Sequence, residues 1–454
     1  MMGKGFIGMR ESSEQGGRKV KFLTLGCRVN QYETQAIREQ FLRQKYEETE
    51  SAQSADFVVI NTCTVTHESD RQSRYLIRKT YRENPKAKIV VTGCWADGDS
   101  ETAEKLEGVY RIVSNSDKPD FLRELSVGEN PPDEKTKINS KWCFPCLNIS
   151  QFKGRTRAYV KIQDGCNHAC SFCKVVLVRG PSRSRPMRDV IEETKRLCDF
   201  GIREIVLTGV QLGAYGYDLE KRQILPDLIG ELVRIPDLKR IRLSSIEPTD
   251  VSKDLIGMMA QSEKICHHLH IPLQSGDDEV LKRMNRRYDS RFFENLIDQI
   301  RFKLSDFILT ADVIFGFPGE DVDRFDRTIS LLKQVKPYKT HIFPYSRREG
   351  TRAFRYTEKI PPAELRERKQ KLFEMDQTLR NEVCAQYVEK KIEILIEDRE
   401  AASENGSIGR TDNYLEVFCR NKVISPGSFV KVRIDDVENG ILIAHLNQED
   451  RYGP

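Results

Sequence analysis

No apolar run of about 18 residues occurs in the 454-residue chain, which excludes a transmembrane helix. The opening stretch Met1–Val20 is polar and lacks the apolar centre of a signal peptide. Internal repeats and low-complexity tracts are absent, and 28 Gly with 18 Pro are too few for a collagen-like or proline-rich chain. Neither sign of charge dominates: 74 Lys+Arg against 69 Asp+Glu leave +5, too little by itself to name a nucleic-acid partner. Apolar residues at 38% and charged residues at 31% are globular composition, and the length is that of two or three domains. What the chain has in quantity is cysteine, twelve residues. Without an export signal these read as thiols of a reducing, cytoplasmic compartment, serving metal, cluster or catalytic chemistry rather than disulfides.

Strand and helix signals alternate over residues 19–126. Val20–Gly26, Phe57–Ile60 and Ile89–Thr92 are strand-like, Asn30 with Glu33 has the spacing of a helix cap, and Ser69–Arg82 is helical. That order predicts a parallel α/β domain. Residues 127–156 are rich in Pro, Lys, Asn and Ser without periodicity and read as a linker. Six strand candidates follow over residues 157–390, at Ala158–Gln163, Glu204–Thr208, Arg240–Ser244, His268–Pro272, Leu309–Ile314 and Thr340–Phe343, with helical stretches between them. Six βα units predict a full or partial barrel with its chemistry at the carboxyl ends of the strands. Pro361–Lys391 reads as a connecting helix. Residues 391–447 hold four short strands, Ile392–Ile396, Tyr414–Phe418, Phe429–Ile434 and Ile441–Leu446, the pattern of a small all-β barrel.

Cys166-Asn-His-Ala-Cys170-Ser-Phe-Cys173 lies just past the first barrel strand. Three thiols spaced four and three positions apart can converge on a cubane cluster and leave its fourth iron open to a substrate or cofactor. Zinc would need a fourth ligand, for which only His168 is near. Cys27, Cys63 and Cys94 each follow one N-terminal strand, two of them after Gly. Loops at the carboxyl ends of parallel strands open into one crevice, so these thiols should meet there; taken singly, each could be an ordinary buried cysteine.

The Cys-x3-Cys-x2-Cys loop, with Phe172 before its last cysteine, resembles the radical S-adenosylmethionine superfamily. Two cysteine triads on two domains resemble its methylthiotransferases. Thr24-Leu-Gly-Cys27-Arg-Val-Asn30-Gln-Tyr-Glu33 and Val59-Ile-Asn-Thr-Cys63 are most similar to the branch acting on threonylcarbamoyladenosine in tRNA. Arg179-Gly180, Arg183-Ser-Arg185, Leu207-Thr-Gly-Val, Arg242-Leu-Ser-Ser-Ile-Glu-Pro248, Pro272-Leu-Gln-Ser-Gly276 and Gly316-Phe-Pro-Gly-Glu320 extend the likeness. Gly409-Arg-Thr-Asp-Asn-Tyr414 resembles the family's RNA-binding TRAM β-barrel.

The resemblance implies a TIM-like partial (βα)6 barrel and two 4Fe–4S clusters, on Cys27, Cys63 and Cys94 and on Cys166, Cys170 and Cys173. It also implies S-adenosylmethionine at the barrel cluster, with Phe172, Gly209, Ser244, Ser245, Gln274 and Asp312 around it. Its partners would be a tRNA anticodon stem-loop and an electron donor such as flavodoxin or ferredoxin. Methylthiolation of isopentenyladenosine tRNA or of a ribosomal protein is the alternative within the class, and a zinc-dependent RNA-binding protein the alternative outside it.

Several features stand apart from that pattern. Lys174-Val-Val follows Cys173 where the family places apolar residues and a proline, so Lys174 either faces solvent or adds charge near the cluster. Cys143-Phe-Pro-Cys146 in the linker reads as incidental thiols, with a metal or redox role the other reading. Arg71, Arg74, Arg78, Lys79 and Arg82 share one broad helix face, a solvated face or a phosphate-binding one. Arg286 and Arg287 have the same two readings. His268 and His270 fall on one strand face as barrel-lining imidazoles.

Overall fold

The computed structural model describes residues 17–126, 144–398, 406–420 and 423–445. The N-terminal unit is a five-stranded parallel sheet of β1 (Lys19–Thr24), β2 (Glu47–Glu48), β3 (Phe57–Thr62), β4 (Lys88–Gly93) and β5 (Val109–Val113), in the order β2-β1-β3-β4-β5. Every residue of the central β3 is buried, as both faces of a parallel sheet are helix-covered and its inner strands read as continuous apolar runs. The edge strands β2 and β5 escape sequence reading because they are short or half-exposed and carry no such run. Helix α1 (Arg28–Arg43) follows β1, α2 (His67–Glu83) follows β3, and α3 (Cys94–Gly98) follows β4.

The second unit carries the six expected parallel strands: β6 (Arg157–Lys161), β9 (Glu204–Thr208), β10 (Arg240–Leu243), β11 (His268–His270), β12 (Ile308–Phe315) and β13 (Lys339–Pro344). They pair as β10-β9-β6 and β11-β12-β13, and bridges at Ile241–Ile265 and Ser245–His270 join the two halves. Between β6 and β9 a short antiparallel pair, β7 (Gln163–Asp164) with β8 (Arg183–Ser184), frames the cysteine loop. One large core of strand and helix side chains fills this unit.

The third unit is a closed barrel of five strands, β14 (Lys391–Ile396), β15 (Gly406–Thr411), β16 (Glu416–Arg420), β17 (Phe429–Glu438) and β18 (Ile441–His445). The sequence pattern misses β15, whose residues Gly-Ser-Ile-Gly-Arg-Thr look like a turn. Tyr414, expected in a strand, sits in the preceding turn with φ +85°. The connecting helix runs Pro362–Ala385 and stops short of Lys391. No helix among the described residues is long and apolar enough to cross a membrane.

The expected linker is not a free tether over its described part. Leu147, Ile149 and Phe152 are buried in the main core against Tyr32 and Ala36 of α1. The Ile149 N–H donates to Glu193 (2.9 Å) and the Ser150 N–H to Glu39 (2.9 Å). Apolar residues at every second or third position are too few to show as a periodic element, yet enough to dock a strap. Cys143 lies outside the described residues; Cys146 is exposed.

Candidate active site

The N-terminal cysteines stand one to three residues past the ends of adjacent strands, Cys27 after β1, Cys63 after β3 and Cys94 after β4. The two glycines before them are required. A Cβ on Gly26 (φ +94°) would fall 2.8 Å from Sγ of Cys63, and one on Gly93 (φ +97°) 2.3 Å from the Thr62 carbonyl. Asn30 is not the cap its spacing predicts, since α1 begins at Arg28 with Cys27 in the cap position. Instead the Asn30 amide donates to the carbonyls of Leu25 (2.8 Å) and Thr62 (3.0 Å), tying the first two cysteine loops together. Cys27 is exposed, whereas Cys63 and Cys94 are buried. Burial pushes the Cys94 thiol up to about 12 and raises Cys63, and Cys27 adds to both.

The barrel cysteines occupy a loop closed by backbone hydrogen bonds, from Cys166 to Gly180 (3.1 Å) and from Ser171 to Met284 (2.9 Å). Gln211 accepts from the Asn167 N–H (3.1 Å), and the Gln163 side chain holds the N–H groups of Val210 (2.9 Å) and Gln211 (2.7 Å). Burial raises Cys166 to about 11, Cys173 to about 12, and Cys170 as well. Thiolates packed this way are unfavourable without positive charge, which iron supplies. Among the described residues no three cysteine sulfurs lie mutually within 4.8 Å, as ligands of one tetrahedral zinc would.

An arginine N–H reaches a sulfur in each triad. Arg286 donates to Sγ of Cys170 at 3.1 Å and ion-pairs with Glu247; its side chain is only 3% exposed. The expectation that Arg286 binds phosphate is therefore corrected, and only Arg287 is exposed. Arg179 comes from the barrel unit but donates to Sγ of Cys94 in the other domain, also at 3.1 Å. Its guanidinium also meets Glu33 (2.9 Å), Asp164 (3.0 Å) and Asn30 (2.8 Å), and Lys118 and Lys161 complete the buried network around Glu33. Burial alone would raise the Glu33 carboxyl, yet these three cations hold it well below the usual range. A second latch joins Arg348 to Thr64 (2.6 Å) and Asp70 (2.8 Å), just past Cys63. Lys174 points to neither bulk solvent nor open loop: its ammonium end lies against Gly98 of α3, in the domain interface.

Between the domains lies a cavity of about 1030 Å³. Cys27, Arg28 and Cys63 line one wall, and Ser245, His270 and Asp312 line another. Asp312 accepts from Nε2 of His270 and Nδ1 of His341, each at 3.1 Å, so it faces this cavity with its carboxylate already engaged. His268 and His270 share Oγ1 of Thr310 on one strand face, as alternation implies. Of the other residues expected at the barrel cofactor, Gln274 (φ +65°) and Ser244 bury side-chain oxygens without any partner. Phe172 packs against the cluster of Val280, Met284 and Phe317. A Cβ on Gly209 would fall 2.8 Å from Oε1 of Gln163, so the side chain that holds the loop after β9 leaves no room for one.

Three family models match in chain order: an uncharacterised protein family, UPF0004, over residues 19–114, the radical SAM superfamily over 160–332, and the TRAM domain over 385–446. The chain is 39% identical over 421 residues to the threonylcarbamoyladenosine tRNA methylthiotransferase MtaB of Bacillus subtilis, covering 91% of this chain and 93% of that protein. It is 36% identical to the protein of the same name from Aquifex aeolicus, over 88% of this chain and 98% of that one. The chain belongs to the radical S-adenosylmethionine methylthiotransferase family.

A tRNA-2-methylthio-N(6)-dimethylallyladenosine synthase from Acetivibrio thermocellus is more distant, at 31% over 95% of this chain and 92% of its own length. The fold is shared with the radical S-adenosylmethionine methyltransferase TsrM of Kitasatospora setae (TM-score 0.55, 14% identity, 74% of this chain and 77% of that one). As a radical SAM enzyme, this methylthiotransferase carries a 4Fe–4S cluster and uses S-adenosylmethionine. The unpartnered oxygens of Ser244 and Gln274 and the three thiols of the barrel loop fit that pair of groups. Glu33 makes no cap with Asn30, and no local signal in its polar segment marks its role; Arg179 closes an apolar run, Val175–Val178, as Lys161 closes β6.

Proposed function

We propose that this methylthiotransferase modifies carbon 2 of threonylcarbamoyladenosine beside the tRNA anticodon, in the cytoplasm, with electrons from a donor such as flavodoxin or ferredoxin. Cys166, Cys170 and Cys173 hold the cluster that binds S-adenosylmethionine, with Phe172, Ser244, Ser245 and Gln274 as the cofactor's surroundings. Cys27, Cys63 and Cys94 hold a second 4Fe–4S cluster. When bound, these groups supply a 5′-deoxyadenosyl radical at the barrel and a sulfur atom opposite it. The chain's own part is to set Cys27 and Cys63 across one cavity from the barrel strand ends, to keep water from it, and to orient the base there.

The observation that carries this reading is the shared cavity, with N-terminal cysteines on one wall and barrel strand ends on the other. The names of the more similar relatives support the branch. For RNA, α2 leads away from Cys63 and presents a groove lined by Arg71, Arg74, Tyr75, Arg78, Tyr81 and Arg82, with one acid, Glu107, beside Tyr81. Arg71 is tied to Glu68 at 2.8 Å, whereas Arg74 and Arg78 have no ion pair among the described residues. Arginines interleaved with tyrosines suit phosphate binding and base stacking.

Nucleoside analysis of tRNA from a deletion strain tests the reading. Loss of 2-methylthio-threonylcarbamoyladenosine, with its precursor accumulating, is expected. Loss of the dimethylallyl derivative instead would move the enzyme to the other branch.

A further inference from the structure

Buried arginines in this chain come with acids. Arg179 meets Glu33, Arg185 meets Glu193, Arg242 meets Glu204, Arg286 meets Glu247 and Arg368 meets Glu320. Arg28, half-buried, has no acid beside it, as Arg74 on the RNA-facing helix has none. Arg28 follows Cys27 and lines the cavity between the domains. Its guanidinium has no hydrogen bond and no ion pair with any described residue. The two acids on the cavity wall are already engaged, Glu68 by Arg71 and Asp312 by His270 and His341. A half-buried cation on a cavity wall, with no side chain engaging it, suits an anionic group entering that cavity.

The substrate reading above names what would bring it. A threonylcarbamoyl arm on N6 of adenine ends in a carboxylate. Carbon 2 and N6 flank N1 on one edge of the ring, so when sulfur is delivered to carbon 2 the N6 arm lies beside the sulfur-bearing wall. Arg28 is the covalent neighbour of Cys27 on that wall. A dimethylallyl arm is apolar and would bury Arg28 unpaired, which selects against it. We propose that Arg28 binds the terminal carboxylate of the substrate's N6 arm and makes this cavity select acidic arms over apolar ones. This rests on the threonylcarbamoyladenosine reading and adds to it the residue that discriminates.

The test uses the full-length, cluster-containing enzyme and two anticodon stem-loops, one with threonylcarbamoyladenosine and one in which its carboxylate is a neutral amide. The readouts are kcat/KM for anaerobic methylthiolation and equilibrium binding without S-adenosylmethionine. The wild type should prefer the acid by about ten- to a hundredfold, mostly through KM, the range of a charge-assisted hydrogen bond. Arg28→Gln should bring that ratio close to one, and Arg28→Lys should keep part of it. Because both stem-loops are compared on one preparation, the ratio does not depend on the fraction of folded or cluster-loaded protein. If Arg28→Gln keeps the wild-type preference, or the wild type shows none, the carboxylate assignment is overturned. If the wild type modifies neither stem-loop, it is the substrate reading that fails.

Discussion

The two cysteine triads reach the same end by opposite routes. Cys166, Cys170 and Cys173 sit within eight consecutive residues on one loop, closed by backbone hydrogen bonds to Gly180 nearby and to Met284 elsewhere in the same unit. Cys27, Cys63 and Cys94 come from three loops and meet only because β1, β3 and β4 are neighbours in a parallel sheet. Their supporting arginines differ in the same way. Arg286 serves the barrel triad from within the barrel unit, whereas Arg179 crosses the domain boundary to reach Cys94. The barrel site is thus complete within its own domain. The N-terminal triad gains its arginine only when the domains dock, which couples the surroundings of Cys94 to the presence of the barrel unit.

The largest expected effect separates the triads directly. Replacing Cys166, Cys170 and Cys173 by Ala should abolish 5′-deoxyadenosine formation and leave roughly half the iron. Replacing Cys27, Cys63 and Cys94 by Ala should also leave roughly half, yet S-adenosylmethionine should still be cleaved under dithionite while no methylthiolated product forms. Iron, 5′-deoxyadenosine and modified nucleoside measured anaerobically decide this. Methylthiolated tRNA from the second variant would make the N-terminal thiols structural.

Next in size is the docking network. Glu33→Gln leaves Lys118, Lys161 and Arg179 buried around one fewer carboxylate. It should cost about 3–5 kcal/mol, read as a lower denaturant midpoint. A drop within a few tenths would mean the domains are held elsewhere.

A finer contrast lies in the potentials. Arg286→Met removes an N–H from Cys170 and should lower the reduction potential of the barrel cluster only, because hydrogen bonds to sulfur raise it. A redox titration followed by electron paramagnetic resonance reads both clusters; an equal shift in both would mean they are not independently supported.

The smallest expected effect concerns the helix beyond Cys63. Charge reversal of Arg74 and Arg78 should flatten the salt dependence of tRNA binding by about 0.7–0.9 in log–log slope for each phosphate that is no longer neutralised. An unchanged slope would place the RNA on another face.

Much of this was legible in the linear chain. Apolar runs mark β3, β4, β9 and β12, as burial on both faces of a parallel sheet favours, whereas β10 and β11 are buried with Arg or His at every second position. The Cys166–Cys173 loop is local and shows itself by spacing alone. Glycine before Cys27 and Cys94 is readable as a tight turn, although the need for it, the approach of Cys63 and Thr62, is not. The glycine-rich β15 and the two-residue β2 leave no such mark, and the strap at 147–152 carries too few apolar residues to be told from a linker.

Charge is where sequence and structure part. A lysine, glutamate or arginine in the sequence looks the same whether it is solvated, paired or waiting for a ligand. Arg179 meets Glu33 across 146 residues and Cys94 across 85, and Arg286, read as a phosphate-binding residue, turns inward to Cys170 and Glu247. Those partners are set by how two domains pack, and no periodicity or local propensity encodes it. The chain by itself determined that six cysteines would stand at strand ends and that two α/β units would present them. Only the tertiary structure decided which cations neutralise which acids and that Arg28 is left facing the cavity, because pairing in a low-dielectric interior depends on distances that exist only after the domains have met.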